Sequence, residues 1–161
     1  MSKSTSTSFD ALLNAGILRE LSLDQLEQWG VALGAALPAR AVITLRGDLG
    51  AGKTTLARAI CRGLGVADIA AVTSPTFAIL QEYAAPRGRI VHADLYRLKN
   101  DGELDGLGWD EIVESSSVII VEWPERATRP FPLDTIAISL AYPPIGLDSR
   151  VLVAKREPPL L

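Results

Sequence analysis

Apolar residues in the first half of the chain recur in patterns that predict a helix, a strand and a second helix. Residues 22–37 have helical spacing, and Ser22 with Gln25 has the spacing of a capping box. Residues 41–45, AVITL, are a short apolar run with β-branched side chains, which predicts a buried strand. Residues 53–65 return to helical spacing. The apolar positions on the two helical stripes are Leu26, Trp29, Leu33 and Leu37 in the first helix and Leu56, Ile60 and Leu64 in the second.

The second half of the chain is dominated by strand-like patterns. We expect strands at 77–85, from Ile90 onward, at 118–121, at 134–142 and at 149–156. The last two runs are separated by PPIGLD and can pair as a C-terminal hairpin. Residues 99–117 are polar and interrupted by glycine, which indicates a loop with one short helix near Trp109 to Val113.

Length and composition indicate one globular domain that lacks membrane segments. The chain has 161 residues, of which 48% are hydrophobic and 22% are charged, and no apolar run approaches the ~20 residues of a membrane helix. We expect a polar, flexible tail at 1–20, the folded domain at 21–156 and a second tail at 157–161. Cys61 is the only cysteine, so no intrachain disulfide can form, and a cytoplasmic location fits best. The net charge of -3 argues against a protein that grips a phosphate backbone by itself.

The stretch GDLGAGKTT, residues 47–55, carries the full phosphate-loop pattern between a predicted strand and a predicted helix. Its glycines allow successive backbone N–H groups to face an anion, and the helix N-terminus adds to this attraction. We expect Lys53 to contact the β- and γ-phosphates of a nucleotide and Thr54 to ligate Mg²⁺. The predicted nucleotide-binding residues of the loop are Gly47, Asp48, Leu49, Gly50, Ala51, Gly52, Lys53, Thr54 and Thr55.

Two acidic residues follow predicted strands and are candidates for metal binding or for positioning a water molecule. Asp94 ends RIVHAD and Glu122 ends VIIVE. Because the carboxyl ends of neighbouring parallel strands meet at one sheet edge, both acids are expected beside the phosphate loop. The alternative is that each acid caps a strand or pairs with an arginine such as Arg97 or Arg126.

Three further features of the sequence indicate a function less specifically. His92, the only histidine, precedes Asp94 on the same face of its strand, and a structural role is the more frequent one for a lone histidine. Trp123 follows Glu122, so strand alternation predicts that it points toward the core. Residues 73–76 form a polar turn that is either a plain connector or a loop that senses the γ-phosphate.

GDLGAGKTT, TSPTF, HADLYRL and VEWPE occur in this order, and together they closely resemble the TsaE (YjeE) family. The resemblance extends from about Ser22 to about Arg156. The phosphate loop alone is unspecific, whereas the HxDxYR block from His92 and the EWPE block from Glu122 are far more discriminating. The resemblance to this family implies a single α/β phosphate-loop domain with a mostly parallel central sheet and antiparallel additions.

The same resemblance implies an activity and partners. It implies an ATPase that requires ATP and Mg²⁺, is slow alone and depends on partners, within the machinery that makes threonylcarbamoyladenosine in tRNA. The partners would be a TsaD-type transferase and its TsaB-type paralogue, and tRNA would be contacted only through that complex, with no membrane partner. The catalytic residues would be Lys53, Asp94 and Glu122, the metal residues Thr54, Asp94 and Glu122, and Thr76 a switch-type contact to the nucleotide.

Two other functions remain open at this point. A small-molecule kinase would share the loop and the acids, but residues 99–117 have no arginine that could form a lid over phosphates. A nucleotide-gated binding module would hold ATP with negligible turnover. No guanine-reading Asn/Thr-Lys-x-Asp signature occurs, so we expect ATP to be preferred to GTP.

Overall fold

The fold is a single mixed sheet with helices on both faces. A computed structural model describes residues 8–13, 16–132 and 134–157. The helices are α1 (Phe9–Leu13), α2 (Leu23–Ala36), α3 (Lys53–Gly63), α4 (Gly102–Gly106) and α5 (Trp109–Ser115), and short 3-10 turns cover Ile69–Ala71 and Pro124–Arg126. The strands are β1 (Arg19–Ser22), β2 (Ala41–Arg46), β3 (Leu80–Ala85), β4 (Gly88–Asp94), β5 (Val118–Glu122), β6 (Ile136–Ala141) and β7 (Ser149–Arg156).

The sheet has a parallel centre and antiparallel edges. The strand order is β1-β7-β6-β2-β5-β4-β3, with β2 parallel to both β5 and β6 and β5 parallel to β4. The pairs β1–β7, β6–β7 and β3–β4 are antiparallel. The predicted α/β fold with a mostly parallel centre, antiparallel additions and a C-terminal hairpin is therefore confirmed.

Two apolar cores lie on opposite faces of the sheet. Neighbouring residues of β4 alternate between them, with Ile90 in the core beneath α2 and α3 and Val91 in the core beneath α4 and α5. Helices α2 and α3 cross at Gly34 and Gly63, where an added Cβ would lie about 2 Å from a backbone oxygen of the other helix. This close crossing fixes α3, and with it the phosphate loop that leads into it.

The predicted capping box is present, and both predicted helices end within two residues of the expected positions. The Gln25 N–H donates to the Ser22 hydroxyl oxygen at the start of α2, and the Ser22 N–H donates to the side-chain oxygen of Gln25. Helix α3 ends at Gly63, and Gly65 follows with a φ of 86° while the Val66 N–H donates to the Cys61 carbonyl. Within the described residues, no helix is both long and apolar enough to cross a membrane.

Three segments differ from the sequence-based expectations. Part of the predicted tail at 1–20 is structured, because Leu12 of α1 is buried against the sheet and β1 begins at Arg19. Residues 1–7, and 158–161 of the second predicted tail, lie outside the described residues.

Strand β3 begins at Leu80 rather than at residue 77. The reason is that Ile79 has a φ of 65° and its N–H donates to the Pro75 carbonyl, which closes a turn. The predicted loop at 99–117 contains α4 as well as α5, because Leu104 and Trp109 supply buried anchors.

Candidate nucleotide site

The loop between β2 and α3 has the backbone conformation that its glycines predict. Gly47 has a φ of 152° and Gly52 a φ of 104°, values that residues with a side chain rarely adopt. At Gly47 an added Cβ would lie 2.5 Å from the Leu140 carbonyl oxygen, so strand β6 excludes any larger residue there. The loop is therefore wrapped closely onto the sheet and opens at the N-terminus of α3.

Lys53 is the first residue of α3 and is only 5% exposed. Its ammonium donates to the carbonyl oxygens of Gly47 and Asp48, the latter at 2.9 Å, and lies 4.0 Å from the ring centroid of Trp123. Burial lowers the pKa of Lys53 below its usual value of 10.5, and nearby carboxylates, Glu122 foremost, oppose this effect. The loop thus holds a partly desolvated cation at the base of the cavity, which is where an anion would be attracted most strongly.

Glu122, at the end of β5, joins the loop to the sheet. The Thr54 hydroxyl donates to Glu122 Oε1 at 2.9 Å, and His92 Nε2 lies 3.0 Å from Glu122 Oε2. Both His92 and Glu122 are almost completely buried. Because a carboxylate only accepts hydrogen bonds, the contact places a proton on His92 Nε2 when Glu122 is ionised. His92 therefore orients Glu122 toward Thr54 and does not itself line the cavity.

Asp94 anchors the segment that precedes β3. Its Oδ2 accepts hydrogen bonds from the hydroxyls of Ser74 and Thr76, the latter at 3.1 Å, and its Oδ1 accepts from the Tyr96 N–H at 2.9 Å. Asp94 and Glu122 are register partners in the parallel pair of β4 and β5. The two acids therefore meet at one sheet edge, as predicted, but Asp94 already has three donors from its own chain.

These residues enclose a cavity of about 400 Å³, which is within the range of small-molecule sites. Its lining residues are Leu49, Gly50, Gly52, Lys53, Thr54, Thr55, Ser74, Thr76, Asp94, Tyr96, Glu122 and Trp123. Of the predicted site residues, Gly47, Asp48 and Ala51 do not line it. Gly47 and Asp48 offer carbonyl oxygens to Lys53, and Ala51 is fully buried.

The cavity wall includes three residues that the sequence patterns did not single out as lining residues. Trp123 packs against the core beneath α4 and α5, as predicted, and it also lines the cavity, because β5 ends at Glu122 and Trp123 adopts a φ of 57°, which interrupts strand alternation. Its ring lies 5.0 Å from that of Tyr96. Ser74 lies in the polar turn 73–76, where only Thr76 was selected. The proline after Trp123 is the one local signal that the strand stops here.

Within the described residues, neither acid is paired with an arginine, which was one part of the alternative that the sequence left open; the other part, capping of a strand end, holds for Asp94, which accepts from the Tyr96 N–H. Arg97 instead lies 4.1 Å from the ring centroid of Phe77, and Arg126 lies 5.3 Å from that of Tyr96. Both acids are therefore directed toward the cavity and the polar residues around it.

The oxygen atoms at this edge fit a hard divalent cation such as Mg²⁺. The Thr54 hydroxyl and Glu122 Oε1 are in contact and both face the cavity. In the part of the chain that the structure describes, no cluster of three or more His, Cys, Asp or Glu residues forms a complete metal cage. Mg²⁺ suits such an edge because it commonly takes one or two protein oxygens and completes its shell with water and substrate phosphates.

Comparison with known proteins gives the family. The sequence model described as "Threonylcarbamoyl adenosine biosynthesis protein TsaE" matches residues 21–146. The chain belongs to the TsaE family. The tRNA threonylcarbamoyladenosine biosynthesis protein TsaE of Synechocystis is 41% identical over 108 residues, covering 65% of this chain and 67% of that protein. The protein of the same name from Treponema pallidum is 35% identical over 119 residues, covering 74% and 86% respectively.

A solved structure has the same fold. The crystal structure of YdiB from Bacillus subtilis superposes with a TM-score of 0.58 at 26% identity and covers 89% of this chain and 90% of that chain. The family match confirms the resemblance drawn from the loop, HxDxYR and EWPE blocks. This TsaE-family chain is thereby connected with the biosynthesis of threonylcarbamoyladenosine in tRNA.

Proposed function

We propose that this TsaE-family protein binds ATP with Mg²⁺ in the cavity and hydrolyses it, slowly alone and faster with its partners. The observation that carries the proposal is the phosphate loop itself, with Lys53 and Thr54 facing Glu122 in one cavity. The family gives the setting, which is threonylcarbamoyladenosine formation in tRNA. We place the activity in the cytoplasm.

The roles of the site residues follow from their contacts. The N–H groups of the loop and of the first turn of α3 hold the phosphates, and Lys53 neutralises the β- and γ-phosphates. Thr54 and Glu122 hold Mg²⁺, and His92 keeps Glu122 in position through their 3.0 Å contact. The metal, when bound, neutralises charge that develops on the phosphate oxygens.

Asp94 has a separate role in this proposal. Its carboxylate holds Ser74 and Thr76 at the mouth of the cavity, where a γ-phosphate would end. Thr76 then contacts the phosphate, and the segment 73–76 changes order when the γ-phosphate is lost. Of the two acids, Glu122 is the direct metal ligand, because Asp94 already accepts three hydrogen bonds from its own chain.

The partners are a TsaD-type transferase and its TsaB-type paralogue, and tRNA is reached through them. The chain carries a net charge of -3, which is unsuited to holding a tRNA backbone alone. ATP hydrolysis would therefore act on the protein complex, and that complex would carry the tRNA.

A nucleotide-gated binding module with negligible turnover is a second candidate. The observation that favours it is that Asp94 accepts three hydrogen bonds from its own chain, which leaves this second carboxylate less free to orient a water molecule. The kinase alternative has no such support. Its lid would have to come from residues 99–117, which are held to the body of the protein by contacts of Asp101 with Thr128 and Arg129.

Single-turnover ATP hydrolysis, measured alone and with the transferase pair, separates these functions. We expect slow hydrolysis alone and at least tenfold acceleration with the pair and Mg²⁺. ATP binding without acceleration would instead identify a gated binding module. ADP release that depends on an added small-molecule acceptor would identify a kinase. A pull-down from a cell extract with and without ATP, read by mass spectrometry, tests the partners directly.

A further inference from the structure

The outer side of the phosphate loop is held by two side chains of the C-terminal hairpin. A loop whose N–H groups face inward to a phosphate must direct carbonyl groups outward, and these need partners of their own. The Tyr142 hydroxyl donates to the Gly50 carbonyl at 2.8 Å, and Arg150 Nε donates to the Ala51 carbonyl at 3.0 Å. Two successive loop residues are therefore attached to the end of β6 and the start of β7.

Arg150 is only 8% exposed and is fixed in place by backbone oxygen atoms. Besides the bond to Ala51, its Nη1 donates to the carbonyls of Leu147 at 2.8 Å and Ser149 at 2.7 Å. Its guanidinium lies 4.3 Å from the ring centroid of Tyr142. Among the described residues, no carboxylate forms an ion pair with it. The hairpin therefore places a permanent positive charge directly behind the loop.

A buried cation that lacks a counter-ion costs stability unless something else compensates for it. Carbonyl dipoles compensate Arg150 in part. A neutral residue would avoid that cost but, with fewer donors, would leave carbonyl groups among Ala51, Leu147 and Ser149 unpaired. An anion bound on the inner side of the loop would complete the compensation, because charges across a partly dry loop attract more strongly than in water.

We propose that Arg150 and Tyr142 are positioning residues that hold the phosphate loop in its phosphate-binding conformation before nucleotide arrives. This rests on the proposed function, since it assumes that the loop binds the phosphates of ATP. A loop that is already held in the bound conformation loses less conformational freedom on binding, and the affinity for the ligand rises accordingly. Arg150 adds charge to this effect, whereas Tyr142 adds only the hydrogen bond to Gly50.

Three variants separate the two contributions, each measured by calorimetry with ATP and Mg²⁺. Arg150→Gln removes the charge and the fork of donors, and we expect ATP affinity to fall by up to about tenfold, through the lost charge and the greater freedom of the unliganded loop. Arg150→Lys keeps the charge without the fork and should lose about threefold. Tyr142→Phe removes one neutral hydrogen bond and should lose about two- to fivefold.

A second measurement reports on the loop without any nucleotide. Hydrogen exchange of the amides of residues 47–54 in the free protein should be faster in Arg150→Gln and Tyr142→Phe, with the exchange of β4 and β5 unchanged. The matched control is Arg129→Gln, which removes a partly buried arginine whose carboxylate partners include Asp105 and Asp110. That control should change neither the exchange of the loop nor the affinity for ATP.

Each outcome supports or overturns the proposal. If Arg150→Gln lowers thermal stability but leaves ATP affinity and loop exchange at the parent level, the residue is merely structural and the proposal is wrong. If Arg150→Gln does not fold, the other two variants decide. The proposal is then wrong if Tyr142→Phe and Arg150→Lys both keep the ATP affinity and the loop hydrogen exchange of the parent protein. Absence of ATP binding by the parent protein would refute the proposed function, while loop exchange would still test the attachment.

Discussion

Replacing Lys53 with methionine tests whether the cavity is a phosphate site. Methionine keeps an unbranched stem of similar length against Trp123 and removes only the ammonium. That ammonium donates to two loop carbonyls and lies 4.0 Å from the Trp123 ring centroid. On ATP binding it would exchange these contacts for phosphate oxygens, which carry full negative charge.

The size of the effect follows from that exchange. A hydrogen bond to a charged group contributes about 1.5–3 kcal/mol. Because Lys53 gives up favourable contacts with Gly47 and Asp48 in the exchange, we expect the lower part of this range. That corresponds to ATP binding weakened roughly ten- to thirtyfold. The free energy of unfolding should fall by about 1 kcal/mol, since the loss of the cation–π contact and of the donor to the Gly47 and Asp48 carbonyls is offset in part by the removal of a desolvated charge.

Isothermal titration calorimetry with ATP and Mg²⁺ gives the affinity, and differential scanning calorimetry gives the stability. Lys155→Met is the matched control, because Lys155 is exposed on β7 and belongs to neither the cavity nor the loop. The control should bind ATP like the parent. A Lys53→Met protein with parental stability and an ATP dissociation constant within about twofold of the parent would refute the phosphate-site reasoning.

Three other substitutions probe the remaining contacts. Glu122→Gln should still bind free ATP, lose the preference for the magnesium complex and lose most of the partner-stimulated hydrolysis in a single-turnover assay, and parental turnover would contradict its role as metal ligand. Thr76→Ala should bind ATP almost normally and fail to support tRNA modification with the transferase pair, and full modification would leave Thr76 a local backbone contact. Arg89 donates a hydrogen bond to Glu82, which lowers the pKa of the Glu82 carboxyl below its usual value of 4.5. The exposed pair therefore stabilises the folded protein above pH 4.5, and this contribution disappears as the pH falls through the lowered pKa. Glu82→Gln should therefore lower the free energy of unfolding by at most about 1 kcal/mol at pH 7 and by nothing at pH 2, as urea titrations would measure; an equal loss at both pH values would contradict this.

The sequence was informative about the loop and the acids because both depend on local rules. A strand, a glycine loop and a helix follow one another without interruption around Lys53, so the conformation of the loop needs no distant contact to be predicted. Asp94 and Glu122 end two strands, and the rule for parallel sheets brings such ends to one edge. The structure pairs them in register.

Other parts of the site depend on contacts that local patterns do not encode. Trp123 turns into the cavity through one left-handed backbone conformation, which overrides the alternation of β5. His92 meets Glu122 only because two strands are neighbours in the sheet. Tyr142 and Arg150 contact the loop across 92 and 99 positions of sequence, and only the tertiary fold reveals the pairing.

The contacts among the site residues also indicate why the proposed nucleotide would need a divalent cation. Its polar groups satisfy one another, with Lys53 on loop carbonyls and Thr54 on Glu122. A nucleotide must displace these contacts while two buried carboxylates, Asp94 and Glu122, face its phosphates. The charge of Lys53, and of Arg150 behind the loop, opposes that repulsion only in part. A divalent cation between Glu122 and the phosphates would convert the repulsion into attraction, so the same carboxylate would disfavour free ATP and favour the magnesium complex.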